Sequence, residues 1–120
     1  MADCGEKQTQ AGLVKYLTLR GHTFAADMSG LYIRTPAGRK AAKAAGRVPG
    51  EPDLRIYLPG GKLVLIELKA ANGRLSPDQK DRHATLRALG FAVHVVKAQT
   101  PADAVQQVDA ILKEENNAKG

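Results

Sequence analysis

Apolar residues recur along this chain at two spacings, and the switch from one to the other marks out its elements. Leu13, Val14 and Leu17 form a stripe at helical spacing, with Asp3 placed to cap that helix and Glu6 at its third position as capping-box partner. Gly21 ends it. Two short strand-like runs follow, His22 to Ala26 and Leu31 to Thr35, joined through Ser29-Gly30. The basic, Gly- and Ala-rich segment up to Gly50 reads as a loop; its Lys40 to Ala45 portion can form a helical turn but has no apolar face to bury.

The clearest pattern comes next. Asp53 to Leu58 and Lys62 to Lys69 form a hairpin turning at Pro59-Gly60-Gly61, and Val64, Leu65, Ile66 and Leu68 make its second strand apolar on both faces, hence central in a covered sheet. Ser76-Pro77-Asp78-Gln79 supplies an N-cap, a first-position proline and a capping-box glutamine for a helix running to Leu89, where Gly90 stops it. Phe91 to Val96 is a further strand. A last helix opens at Thr100-Pro101-Ala102-Asp103 and carries Ala104, Val105, Val108, Ile111 and Leu112 at helical spacing, with a polar, frayed tail beyond Glu115. This order predicts an α/β fold, a mixed central β-sheet flanked by helices, in one domain spanning residues 1–120.

Hairpin parity then brings chemistry into view. Glu67 and Lys69 share one face of their strand while Leu68 points to the other. With a three-residue loop, Leu58 pairs with Lys62 and Asp53 falls opposite Glu67 on the same face; a two-residue loop would put Leu54 there instead. Two carboxylates side by side repel, and a fold keeps such a pair mainly where a divalent cation neutralises it. Asp53 and Glu67 can therefore hold Mg²⁺ or Mn²⁺, with the backbone carbonyl of Leu68 as a further ligand, and Lys69 adds a mobile positive charge for a phosphate or a water. That set suits phosphodiester hydrolysis. The plainer reading is a strand end with a Glu67–Lys69 salt bridge. Two more residues can join the site: Glu6, on one helix face with Gln10, and Gln79, one turn into its helix, although each also has a capping role to fill.

Charge narrows the choice of partner. The 120 residues carry 18 Lys and Arg against 12 Asp and Glu, a net charge of +6, and from Arg34 to Arg47 there is no acidic residue. That favours a polyanion. Arg34, Arg39, Lys40, Arg47, Arg74 and Arg82 are the candidate phosphate contacts. Other classes are disfavoured: the single cysteine, Cys4, makes neither an internal disulfide nor a zinc site, no apolar run reaches membrane-spanning length, and the N-terminus lacks signal-peptide regions. The expected setting is cytoplasmic, in a bacterial or phage-infected cell. With no Trp and few aromatics, a base-stacking platform is a poor fit. His22 and His94 read as packed or capped polar residues, and His83 as a helix residue near Gln79 that could approach DNA.

The stretches Gly50 to Leu54, Ile66 to Lys69, Gly73 to Gln79 and Leu89 to Phe91, in this order, resemble the virus-type replication-repair nuclease (VRR-NUC) domain of the PD-(D/E)XK nuclease superfamily. The likeness runs from Glu6 to about Ala104. It implies a restriction-endonuclease-like core, Asp53 and Glu67 as metal ligands, Lys69 as the catalytic lysine, Glu6 as an acidic member from the first helix and Gln79 as a supporting polar residue. Stand-alone members resemble dimeric resolvases of four-way DNA junctions, which implies branched duplex DNA such as a Holliday junction as substrate and a homodimer as the working form. The first helix or the strand around Leu31 to Ile33 would then supply the dimer surface. Glu51 departs from the small or apolar residue expected beside Asp53. Alternatives are a non-catalytic nucleic-acid-binding module with this fold, and a flap or nicking endonuclease acting on DNA or RNA.

Overall fold

The computed structural model describes residues 5–27 and 35–117. In chain order the elements are α1 (Glu6–Leu19), β1 (Thr23–Ala26), α2 (Pro36–Ala44), β2 (Leu54–Leu58), β3 (Lys62–Ala70), α3 (Pro77–Ala88), β4 (Ala92–Ala98) and α4 (Pro101–Asn117). The four strands form one sheet in the order β1-β2-β3-β4, antiparallel except for the parallel β3–β4 pair that α3 connects. This is the mixed sheet flanked by helices expected of an α/β fold.

Strand alternation divides the core into two layers. Leu54, Ile56 and Leu58 of β2 and Val64, Ile66 and Leu68 of β3 pack with Leu13 and Leu17 of α1 and Ala104, Val108 and Leu112 of α4. The odd-numbered residues face the other way, where Leu65 and Val93 meet Leu86 of α3. β3 is thus covered on both sides. Shortening a side chain such as Leu54 or Ile66 to alanine removes both its burial and its packing, a cost of about 2–5 kcal/mol.

The β2–β3 turn is the three-residue Pro59–Gly61, and Leu58 pairs with Lys62. Leu54 opposes Ile66, so Asp53 and Glu67 come next in register on the face that α3 covers.

Several boundaries differ from the sequence expectation. The basic segment is a helix over Pro36–Ala44, not a loop. Thr35 Oγ1 accepts the amide of Gly38 at 3.0 Å, Pro36 occupies the first turn, and at the other end Gly46 and Arg47 donate to the carbonyls of Lys43 and Ala42. Local capping and alanine propensity suffice, since none of its residues is buried. Thr35 is therefore a helix cap and not a strand end. The rest of the expected strand from Leu31, with the dimer surface suggested there, lies outside the described residues, as does Asp3. Gly5 is the N-cap of α1, which moves Glu6 to the first helical position and removes its capping-box role. The strand expected over Phe91 to Val96 runs from Ala92 to Ala98, because Phe91 closes the end of α3 by donating to Leu86 O. Helix α4 continues past Glu115 to Asn117.

Candidate active site

Asp53 stands immediately before β2, and its Oδ2 accepts the backbone amide of Leu68 at 2.7 Å. That bond ties it to the strand carrying Glu67. In a strand the amide and carbonyl of one residue point to the same side, so the Leu68 carbonyl also faces the Asp53 edge. The Asp53 carbonyl accepts from Asp27 N at 2.8 Å, which closes the β1 side. Glu67 is 2% exposed although it is an acid. Burial first, then the charge of Asp53 and the hydrogen bond between the two carboxyls, push its pKa up to about 9. Glu6 reinforces that shift from the first turn of α1, and Lys69 opposes it, so the fields of both reach Glu67. Lys69 projects from β3 on the same face as Glu67.

Helix α3 completes the surroundings of Glu67. Ser76 Oγ accepts from Gln79 N at 3.2 Å and Gln79 Oε1 accepts from Ser76 N at 2.9 Å, forming the expected capping box. The same amide turns its Nε2 to Glu67 Oε2 at 3.3 Å. Capping and site contact are therefore two ends of one side chain. One turn later, His83 Nε2 lies 3.2 Å from Glu67 Oε1, and His83 is 1% exposed. The expectation that His83 approaches DNA is corrected: it packs inward against the sheet. Helical spacing admits either Arg82 or His83 on the sheet-facing stripe between Gln79 and Leu86, and the fold selects His83.

Beside Asp53 and Gln79 opens a cleft of about 700 Å³, lined also by Lys7, Gln10, Arg47 and Glu51. Gly50 is where its wall meets α3. Its φ is +84°, and a Cβ there would lie 2.3 Å from the carbonyl oxygen of Asp78, so the backbone approaches α3 as only glycine permits. Glu51 is neutralised by Arg82, whose Nε lies 2.8 Å from its Oε1. The pairing engages Nε of Arg82, whose side chain stays 30% exposed. It also accounts for the acid beside Asp53. Arg39 and Lys40 are exposed on α2, Arg74 is exposed before α3, and Arg47 is half-buried at the cleft, while Arg34 lies outside the described residues. His94 lies 3.4 Å from Glu115 and away from this cleft.

Among the described residues, no three His, Cys, Asp or Glu side chains converge as a metal-binding group. The site offers instead two adjoining carboxyls and a backbone carbonyl, the sparse oxygen set that suits Mg²⁺, an ion that retains several waters. Among the same residues no helix is long and apolar enough to cross a membrane.

Comparison with known proteins places these features in context. The sequence model of the VRR-NUC domain matches residues 16–100. A 50-residue stretch is 42% identical to "Putative nuclease p44" of Acyrthosiphon pisum secondary endosymbiont phage 1, covering 42% of this chain and 54% of that protein. The chain thus spans about half the length of the curated relative it matches. Two solved structures described as a VRR_NUC domain and a VRR_NUC domain protein superpose with TM-scores of 0.58 and 0.70, at 24% and 21% identity. They cover 90% and 92% of this chain and 94% and 90% of their own. The shared feature at such identities is the fold.

Proposed function

Because the chain belongs to the VRR-NUC domain family, we propose that it is a nuclease, and more specifically a divalent-cation-dependent endonuclease that hydrolyses phosphodiester bonds in branched duplex DNA such as four-way junctions. One observation carries this reading: Asp53 and Glu67 adjoin at the end of the β2–β3 pair, with Lys69 on the same face. Ordinary folding gives no reason to bury an acid against a second acid, which costs stability unless a cation repays it. Asp53 and Glu67 would hold Mg²⁺ or Mn²⁺ by their carboxylates, with the Leu68 carbonyl as a further ligand. When bound, such an ion offsets negative charge developing on the phosphate and acidifies water near it. Lys69 then donates to the attacking water or to a phosphate oxygen, and Glu6, at the cleft end of α1, is within electrostatic reach. Gln79 keeps Glu67 in place.

For the substrate, the exposed cations of α2 support backbone contacts, which set affinity and orientation without reading sequence. Arg39, Lys40, Arg47, Arg74 and Arg82 serve in this role, Arg82 while also holding Glu51. Resolving a four-way junction needs two coordinated cuts, for which a two-fold homodimer is the economical arrangement. A non-catalytic binding module would need the basic surface but not a buried, charge-opposed Glu67.

The test is cleavage of supercoiled plasmid and of synthetic four-way, flap and linear substrates, as DNA and as RNA, in Mg²⁺, Mn²⁺ or EDTA. Cutting should require the metal, favour branched DNA, and fall roughly a hundred-fold or more in Lys69→Ala. Cutting in EDTA, or equal cutting by the variant, overturns the reading.

A further inference from the structure

At 2% exposure, the carboxylate oxygens of Glu67 depend on protein donors and not on bulk water. Beside the adjoining Asp53 carboxyl, α3 brings one donor atom to each oxygen, Gln79 Nε2 at Oε2 and His83 Nε2 at Oε1. Both come from α3, four residues apart and so stacked on one helix face. Because a carboxylate oxygen has two lone pairs, one hydrogen bond at each leaves capacity for a cation.

The histidine ring adds a constraint of its own. Its Nδ1 is buried with no hydrogen-bond partner among the described residues. A neutral imidazole has a single N–H; once a cation holds Glu67 ionised, its oxygens can only accept, and that hydrogen then belongs on Nε2. Packing by itself does not ask for an imidazole here. The buried cluster on this face of the sheet, Leu65, Leu86 and Val93, is aliphatic, and a leucine at position 83 would match its chemistry.

We propose that His83 is a positioning residue: donating from Nε2 to Oε1 while Gln79 holds Oε2, it fixes the plane of the Glu67 carboxylate in the orientation that shares a divalent cation with Asp53. The inference rests on the nuclease reading above, with which the cation stands or falls. His83 touches neither substrate nor reacting atoms and acts through Glu67 alone.

Binding of Mn²⁺ to the purified chain without DNA, followed by the electron paramagnetic resonance of the free ion, tests it alongside junction cleavage. His83→Leu should remain folded by circular dichroism and bind Mn²⁺ roughly ten-fold more weakly or worse. His83→Gln, which restores an N–H donor, should regain most of the affinity. In cleavage, His83→Leu should raise the metal concentration needed for half-maximal rate more than it lowers the rate at saturating metal. Wild-type affinity in His83→Leu, or equal weakening in the Leu and Gln variants, overturns the role. Should His83→Leu fail to fold, His83→Met fills the same space without a donor and carries the same comparison. Controls separate the two levels: a wild type that binds no Mn²⁺, or whose binding survives Asp53→Asn, defeats the metal-nuclease reading. Binding lost in Asp53→Asn but intact in His83→Leu defeats only the inference about His83.

Discussion

Glu67 concentrates the conflict in this molecule, because the surroundings that bury it also set it against Asp53. Its pKa of about 9 means that, between the ordinary carboxylate range and pH 9, the folded chain keeps a proton that the unfolded chain releases. Stability from this residue is therefore full at acid pH and is lost as pH rises towards 9. In EDTA, the urea midpoint should fall from pH 5 to pH 9, and Glu67→Gln should flatten that slope and gain on the order of 1–3 kcal/mol at pH 8. An unchanged slope in the variant would show that Glu67 is not the group responsible. At this scale, Asp53, Glu67 and Lys69 were legible because alternation and loop parity are arithmetic on a strand pair. Gln79 was legible too, although its capping and site roles, which read as alternatives, coexist through opposite ends of one amide. The Arg82–Glu51 pair and the His83–Glu67 contact were not, since each joins residues from elements that only the closed fold brings together.

Among the elements, α3 does the most for the site, since one helix presents both Gln79 and His83 to Glu67. Its position depends on its cap and on the backbone laid against it. Ser76→Ala removes one bond of the capping box and should cost about 1 kcal/mol in chemical denaturation. Gly50→Ala is a harsher change, because it combines a left-handed φ of +84° with a Cβ only 2.3 Å from the Asp78 carbonyl oxygen. It should cost about 2 kcal/mol or more and, by displacing the start of α3, lower junction cleavage as well. A Gly50→Ala chain as stable as wild type would mean that this approach is loose. The misread element, α2, shows where periodicity misleads: a helix with no buried face has no apolar stripe to detect. Its punctuation was nonetheless present in Thr35-Pro36 at the start and Gly46 at the end.

Across the whole molecule, α1 and α4 cover one face of the sheet and α3 the other, which leaves the Asp53 end of the hairpin open to the cleft. Three exposed cations of α2, Arg39, Lys40 and Lys43, stand on a helix with no acidic residue and serve the proposed DNA contact. If all three neutralise phosphates, replacing them by alanine should reduce the slope of log affinity against log salt by about 3, measured by fluorescence anisotropy of a junction in Ca²⁺. A slope unchanged within error would place the DNA elsewhere. The sequence by itself determined the helices with apolar stripes, the hairpin and its register, and with them the meeting of Asp53, Glu67 and Lys69, because periodicity and turn length act locally along the chain. Only the tertiary structure decided how deeply Glu67 is buried, that His83 and Gln79 divide its two oxygens, and that Arg82 pairs with Glu51. Burial, long-range pairing and the pKa shifts they cause depend on which surfaces meet, and sequence separation does not encode that.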